Sequence, residues 1–531
     1  MIQTEVRLPL VFNDADIESA LRAHLPLSDV PILKFNKLRL SLKRDGDGAH
    51  YYVLRVAFST SPEKEAGLLK MKKKTAFYEV PVLKLPAAPH KPKNAPVVVG
   101  MGPCGLFAAL ILAEAGMRPV ILERGTAVEE RAKDVERFFS GGALLPQSNI
   151  QFGEGGAGAF SDGKLKFGTR DGAVLKVLSE LVAGGAPEDI LYKDAPHVGT
   201  DVLRDAVVYL RKRLLSLGAT VHYGARMCDI LMENGRTYAV EYEQDGVRRR
   251  IETEAVLLAT GHSAEDVFSL LYEKGAALEP KGFGVGVRVE HPREYINSLV
   301  YPLEEEREPL GAASYHLVTH LENGRSVYSF CMCPGGTVVC AASDAQGVVT
   351  NGMSMHARDG ENSNSALLVS VTPADFPSSH PLAGIALQRS LERAAFAAGG
   401  KNHKAPAIRM EDFMKEKAAA PLGSVSPSYP RGVALVSPEE YLPSYITDSL
   451  RAAIRDFDAW MPGFYYPDAV LTGVETRSTS PVRVLRGESG EALSLSGVYP
   501  CGEGAGYAGG IVSSAVDGIR MAIKCLEGFE K

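Results

Sequence analysis

Residues 96–124, PVVVGMGPCGLFAALILAEAGMRPVILER, leave this chain few ways to fold. The apolar run Val97–Val99 reads as a buried strand that meets Gly100-x-Gly102-x-x-Gly105. An apolar segment free of Pro and Gly, Leu106 to Ala115, then reads as a helix closed by Gly116. A second strand, Pro119–Leu122, ends in Glu123. Glycines at these places between a strand and a helix mark a βαβ unit that holds a dinucleotide. Gly100 makes the tight turn, Gly102 lets the main chain approach a pyrophosphate, and Gly105 lets the helix pack close to the strand. The free N–H groups and dipole of the helix start face the phosphate charge. Glu123, 23 residues after Gly100, stands where an acid accepts the hydroxyls of a ribose, and Arg124 beside it joins the cofactor-binding candidates.

At 531 residues the chain exceeds one simple domain. A hydrophobic fraction of 45% and a charged fraction of 23% are those of an ordinary globular protein. The net charge of −6 argues against a general affinity for nucleic acid or anionic membranes. The first residues, MIQTEVRLPLVFNDADIES, lack the cationic and apolar regions of a signal peptide, so the cytoplasm is the expected location. No stretch reaches the roughly 18 apolar residues of a spanning helix. Seven cysteines fall at irregular spacing without a C-x-x-C, which removes the usual dithiol motif and the common zinc pattern. They read as small buried apolar residues, with redox or metal participation as the alternative, and no metal site is expected.

The fold class expected is α/β: a Rossmann-like dinucleotide-binding domain with an inserted α+β second domain and a small N-terminal α+β domain. Residues 1–85 show strand, helix, two strands and a further strand-like run, AFYEVPVLKL, an order that resembles a small ferredoxin-like sandwich. Lys34, Lys37, Arg39 and Lys43 alternate along one of these strands, as a solvated face or an interaction face. The stretch 86–96, PAAPHKPKNAP, has four prolines and reads as a linker. The dinucleotide domain is expected over 97–280, ending near the strand Ala255–Leu258 and Ala259-Thr260-Gly261. The insert is expected over 281–465, with helices at Pro381–Ala398 and Asp448–Asp456, and the return segment over 466–531. GFGVGVRVEHP has glycines at 282, 284 and 286 but continues as a strand, so no helix start is there to receive phosphate and a second nucleotide site is rejected.

With these motifs placed, the chain resembles the two-dinucleotide-binding-domain flavoproteins of the glutathione-reductase-like superfamily. The resemblance rests on the glycine motif with Glu123, the strand ending Ala259-Thr260-Gly261, and the late strand ending Gly502-Glu503 before a glycine loop and a final helix. It implies FAD, with the acid near the ribityl chain and pyrophosphate and the start of the last helix, Gly510 and Ile511, near the flavin. Here the acid is Glu503 where that superfamily usually has Asp. A closer likeness is to bacterial FAD-dependent dehydrogenases with a C-terminal FAD-dependent-protein domain. It is carried by GEGGAGAFSDGKL (153–165), LATGHSAEDVF (258–268), GVGVRVEHP (284–292), SFCMCPGG (329–336), ARDGENSNSALLVSV (357–371) and TRSTSPVR (476–483).

The glycines of 153–165, Gly156 among them, let a backbone approach a ligand, and Ser161 and Lys164 are within reach of a phosphate or a flavin edge. Cys104 sits at the helix start, where a thiolate is stabilised, but a bound pyrophosphate opposes that charge and a steric role is favoured. For proton transfer the candidates are His262, His291, His316 and His320, none with a carboxylate partner legible in sequence. Arg477 and Arg483 bracket STSPV and could meet a substrate carboxylate or the flavin. The leading expectation is an FAD-dependent oxidoreductase exchanging hydride between flavin and a small substrate, with catalytic residues unassigned beyond His262 and Arg477. If NAD(P)H is the reductant, the absence of a second fingerprint makes it a transient visitor to the flavin. The alternatives are an RNA-associated flavoprotein and a non-catalytic flavin-binding interaction protein.

Overall fold

Strands buried on both faces must be apolar along their whole length, and the shortest apolar runs of this chain form such a sheet. The computed structural model describes residues 1–27, 30–71, 74–86 and 92–529. At the N-terminus, β1 (Ile2–Leu8), β2 (Lys34–Arg44), β3 (His50–Ser59) and β4 (Ala76–Phe77) form an antiparallel sheet in the order β2-β3-β1-β4. α1 (Asp14–His24) starts at Asn13, whose side chain accepts from the amides of Ala15 and Asp16 while Asp16 reaches back to the Asn13 amide. A second helix, α2 (Pro62–Leu69), was not expected; it is eight residues long and carries Gly67, too short and too interrupted for a periodic signal. The strand expected over AFYEVPVLKL shrinks to Ala76–Phe77, because Pro81 has no N–H to continue a ladder. Of the expected linker, residues 87–91 lie outside the described residues.

The N-terminal sheet is clasped to the rest of the chain. Arg39 and Ser41 both bond Asp194, the Leu40 amide donates to the Tyr192 carbonyl, and His50 meets Glu306 at 2.5 Å. Lys37 is paired with Asp14, so two of the four alternating basic side chains already have acidic partners.

β5 (Val97–Val99), β6 (Val120–Leu122), β7 (Thr220–His222) and β11 (Val256–Leu258) join Val498–Pro500 in a parallel sheet ordered Val498–Pro500, β11, β5, β6, β7. Between β7 and β11 an antiparallel meander of β8 (Arg226–Glu233), β9 (Arg236–Gln244) and β10 (Val247–Glu252) turns at Asn234-Gly235, both with positive φ as a two-residue hairpin requires. Helix α3 (Pro103–Glu114) is apolar on every side and buried from Cys104 to Ala113. It packs against the last helix, Ile511–Gly528, at Gly518, where a Cβ would lie 2.2 Å from the Cys104 carbonyl oxygen.

The insert is built on a seven-stranded sheet with Phe283–Pro292 at its centre between Asn362–Val371 and Val470–Glu475. The alternating glycines of that strand serve packing, since a Cβ at Gly286 would sit 1.9 Å from the Leu367 carbonyl oxygen. Val470–Glu475 pairs inside this sheet, so the chain does not leave the insert at 466; it rejoins the parallel sheet only at Val498. The helices expected at 381–398 and 448–456 are Ala383–Ala398 and Ser444–Trp460. Among the described residues no helix is long and apolar enough to cross a membrane.

Candidate functional site

In an open parallel sheet, ligands bind beyond the carboxyl ends of the strands, where loops diverge. Here the loops after β5, β6, β11 and Val498–Pro500 border one cavity of about 240 Å³. Gly100 turns there with φ of +97°, and Gly102 begins α3 with no side chain capping the helix. Gly105 does not line the cavity. A Cβ there would stand 1.9 Å from the Gly100 carbonyl oxygen, so this glycine permits the contact of helix and turn. The last helix also starts uncapped, at Gly510, and Gly261 and Gly510 have open space where a Cβ would project. Two uncapped helix starts on one cavity present free N–H groups and positive dipole ends to the same ligand.

Glu123 is 4% exposed and lines the cavity. One carboxylate oxygen accepts the Met101 N–H and the other the Gly125 N–H, each at 2.8 Å. This fixes the carboxylate at the turn while each oxygen keeps a lone pair for a ligand hydroxyl. Arg124 is paired with Asp266 at 2.9 Å and lies over the Phe152 ring at 4.4 Å, which gives the cavity a flat wall.

The loop 153–165 folds across the glycine turn, and Gly156, with φ of +59°, packs against Gly102. Its shape is held by Arg131, which sequence reasoning missed. The fully buried guanidinium donates to the carbonyls of Asn149, Ile150, Gly153, Glu154 and Gly156. Burial lowers its pKa from the ordinary guanidinium value. A signal was present: Val128, Arg131, Val135 and Phe138 share the buried face of one amphipathic helix, and an arginine on such a face needs acceptors. Lys164 lines the cavity, and among the described residues no carboxylate lies within ion-pair distance of it. Burial lowers its pKa against the opposing pull of Asp162. The Asp162 carboxylate itself is taken by Arg358 and Ser354, each at 2.5 Å. Ser161 lines the cavity as well, with its hydroxyl donated to the Gly158 carbonyl.

His262 acquires a partner that no local pattern could supply. Its Nδ1 lies 3.5 Å from Glu503 Oε1, and both residues line the cavity. The other ring nitrogen, Nε2, is buried without a protein partner. Gly502, by contrast, is outside the cavity wall; a Cβ there would strike Cys104 at 2.8 Å. Ile511 borders the cavity at the start of the last helix. Cys104 is buried beside Cys501, and its thiol is pushed up by that neighbour and by burial, which leaves it the steric role.

Other expected residues fall elsewhere. Arg477 lines the cavity, but its Nε and one terminal nitrogen bond Glu392 at 2.9 and 2.8 Å, and the other terminal nitrogen donates to Ser343. It is therefore not a free cation for a substrate carboxylate; its charge is already matched. His291 is fully buried with Nε2 on the Phe464 carbonyl, and burial lowers its pKa to about 4. His316 and His320 are not in the cavity wall, and His320 bonds Ser326. Arg483 is also outside the wall. The wall facing the glycine turn comes from the insert instead: Phe330, Cys331, Cys333, Asn351 and Gly352. Beneath it the buried Arg288 joins Glu475, Asn364 and the Cys331 carbonyl.

This donor set suits a dinucleotide. Two uncapped helix starts offer N–H groups of the kind that bind phosphate, and the anchored Glu123 carboxylate offers acceptors of the kind that bind ribose hydroxyls. Residues 282–478 match the family model described as "FAD-dependent protein, C-terminal domain-like". An uncharacterised protein of Clostridium beijerinckii is 43% identical over 495 residues, covering 92% of each chain. Among solved structures, a point mutant of the halogenase PltM in complex with FAD covers 82% of this chain and 70% of its own, at 10% identity and a TM-score of 0.39. A 3-ketosteroid-Δ4-(5α)-dehydrogenase from Rhodococcus jostii covers 82% and 97%, at 13% identity and a TM-score of 0.36. At such scores neither likeness assigns a reaction to this chain. With its insert matching that C-terminal domain and nearly its whole length matching the clostridial protein, the chain belongs to this family of FAD-dependent proteins, and FAD is its cofactor.

Proposed function

We propose that this protein is an FAD-dependent oxidoreductase, a dehydrogenase or reductase, whose small substrate is held between the flavin and the seven-stranded sheet of the insert. The observation that carries the reading is the shared cavity, bordered on one side by the glycine turn and on the other by Phe330, Cys331 and Asn351 of the insert. The division into a ferredoxin-like N-terminal unit, a Rossmann-like cofactor unit and an inserted substrate unit belongs to this reading. FAD supplies the two-electron redox chemistry when bound, and the protein supplies binding, orientation and proton handling.

Gly100, Gly102 and the start of α3 receive the pyrophosphate, with Gly105 keeping the helix close enough to do so. Glu123 accepts the ribose hydroxyls, and the Arg124–Phe152 wall flanks an aromatic ring. Gly156 and Lys164 close over the cofactor from the loop held by Arg131, while Gly261, Glu503, Gly510 and Ile511 border its other edge. His262 is the proton carrier in this reading: the residue lines the cavity, with Glu503 Oε1 3.5 Å from its Nδ1. Arg477 positions the insert through Glu392. NADH or NADPH reduces the flavin as a transient visitor, since no second fingerprint is present to hold it.

The test is anaerobic stopped flow on the purified protein, following loss of the oxidised flavin band with NADH or NADPH, then a metabolite screen for reoxidation. Flavin reduction followed by substrate-dependent reoxidation is expected. Colourless protein that cannot be reconstituted with FAD overturns the reading, and a flavin that no reductant or metabolite turns over leaves only a binding protein.

A further inference from the structure

The geometry points to an oxyanion site beside the cavity wall at Ser478, formed by Lys281 and Arg483, that takes a carboxylate or phosphate group of the molecule exchanging electrons with the flavin. This rests on the oxidoreductase reading. A substrate fixed beside a flavin needs an orienting charge; of the three cations in the wall, Arg124 is paired with Asp266, Arg477 is spent on Glu392, and Lys164 is assigned to the cofactor. Just outside the wall, next to Ser478, lie two cations without a carboxylate at ion-pair distance among the described residues.

Lys281 and Arg483 are brought together by a short antiparallel pair, Leu278–Pro280 with Val482–Val484, extended by the Lys281 amide donating to the Pro481 carbonyl at 2.8 Å. Lys281 Nζ donates to Thr479 Oγ1 at 3.0 Å, one residue from Ser478 in the cavity wall. Arg483 backs the loop that carries Glu503, since a Cβ at Gly506 would lie 2.9 Å from the Arg483 Cα. Among the described residues no carboxylate stands within 4.0 Å of either cationic group.

Two neighbours sharpen the contrast. Tyr507, 40% exposed, has the Arg486 guanidinium over its ring at 3.9 Å and the Arg483 guanidinium at 5.4 Å. Arg486 is neutralised by Asp517 at 2.6 Å, whereas among the described residues Arg483 has no acidic partner and its Nε is buried without a hydrogen bond. Glu279 is the register partner of Arg483 across the strand pair, but its exposed side chain makes no ion pair with it. Burial and the nearby Arg483 lower the Lys281 pKa against the opposing pull of Glu503, and an anion between the two cations would relieve their repulsion. A planar guanidinium fork beside a compact ammonium matches the oxygens of a carboxylate or a phosphate.

The experiment is calorimetric titration of the FAD-loaded full-length protein with inorganic phosphate and, separately, with succinate, at constant ionic strength. The wild type is expected to bind one of them, and which one distinguishes a phosphate-bearing from a carboxylate substrate. Lys281→Met and Arg483→Met each weaken that binding at least tenfold with the flavin band unchanged. Glu279→Gln, an exposed substitution that leaves folding alone, tightens it two- to threefold by removing the opposing carboxylate. Binding of neither anion by the wild type, or wild-type affinity in the double methionine variant, overturns the site. Failure to bind flavin at all overturns the oxidoreductase reading instead, whatever the calorimetry returns.

Discussion

Gly102 and Gly105 belong to one motif yet should fail in different ways when each is changed to alanine. At Gly105 the new methyl would stand 1.9 Å from the Gly100 carbonyl oxygen and 2.9 Å from its carbon, both main-chain atoms that cannot rotate away. Helix and turn must separate, and overpacking of this kind costs about 1–3 kcal/mol or more, a large part of the roughly 5–15 kcal/mol that holds a domain together. At Gly102 the nearest atom to the methyl is the Gly156 Cα at 3.6 Å, an ordinary contact, and the backbone is extended with φ of −75°. The apo protein then loses only a preferred helix N-cap, about 1 kcal/mol. The methyl instead occupies the approach of the pyrophosphate. Losing two charge-assisted hydrogen bonds at about 1.5–3 kcal/mol each raises the FAD Kd by roughly two to four powers of ten. Thermal unfolding of the apo proteins and flavin-fluorescence titration separate the two effects. Gly105→Ala should lower both Tm and affinity, and Gly102→Ala chiefly affinity. Wild-type flavin occupancy in Gly102→Ala, or an unchanged apo Tm in Gly105→Ala, would refute the division of labour.

Other substitutions probe the supports of the site. Arg131→Met leaves five carbonyls, four of them in buried hydrogen bonds, without their donor and should lower Tm sharply with loss of FAD retention. Arg131→Lys should not rescue it, because an ammonium has three donors to the guanidinium's five; a wild-type Tm in the lysine variant would contradict the clasp. Arg288→Met strands the buried Glu475 and should cost about 3–5 kcal/mol in denaturant unfolding, while the double change with Glu475→Gln should cost less. His291 titrates near pH 4 when folded and near 6.5 when free. The unfolded chain therefore binds the extra proton between these values, and stability should fall by up to about 3 kcal/mol as pH drops through that window. His291→Gln should flatten that part of the profile, and an unchanged slope would remove His291 as its source.

What was legible in the sequence shares a physical property: it is local. The strand, glycine turn, helix and Glu123 lie within one βαβ unit, where backbone sterics and the helix start dictate both conformation and ligand. The glycine alternation of Phe283–Pro292 could be read as a strand for the same reason. Short elements escaped: α2 has eight residues, and β4 is cut to two because a proline follows it. The exit from the insert was placed too early because a buried strand such as Val470–Glu475 does not announce which sheet it will join.

Charge assignment was decided by tertiary structure alone. Arg477 and Arg483 look alike in sequence six residues apart, yet one is matched by Glu392 and the other has no carboxylate at ion-pair distance among the described residues. His262 gains Glu503 from the far end of the chain, and Arg131 gains a ring of carbonyls from a loop some twenty residues away. Whether a cation is spent or free depends on distances of a few ångströms between segments that only folding brings together, because Coulomb and hydrogen-bond energies change over that range. The sequence alone pointed to a dinucleotide cofactor and to the glycine turn and helix start proposed to receive it; the packed structure decided which charged side chains beside that turn are already paired.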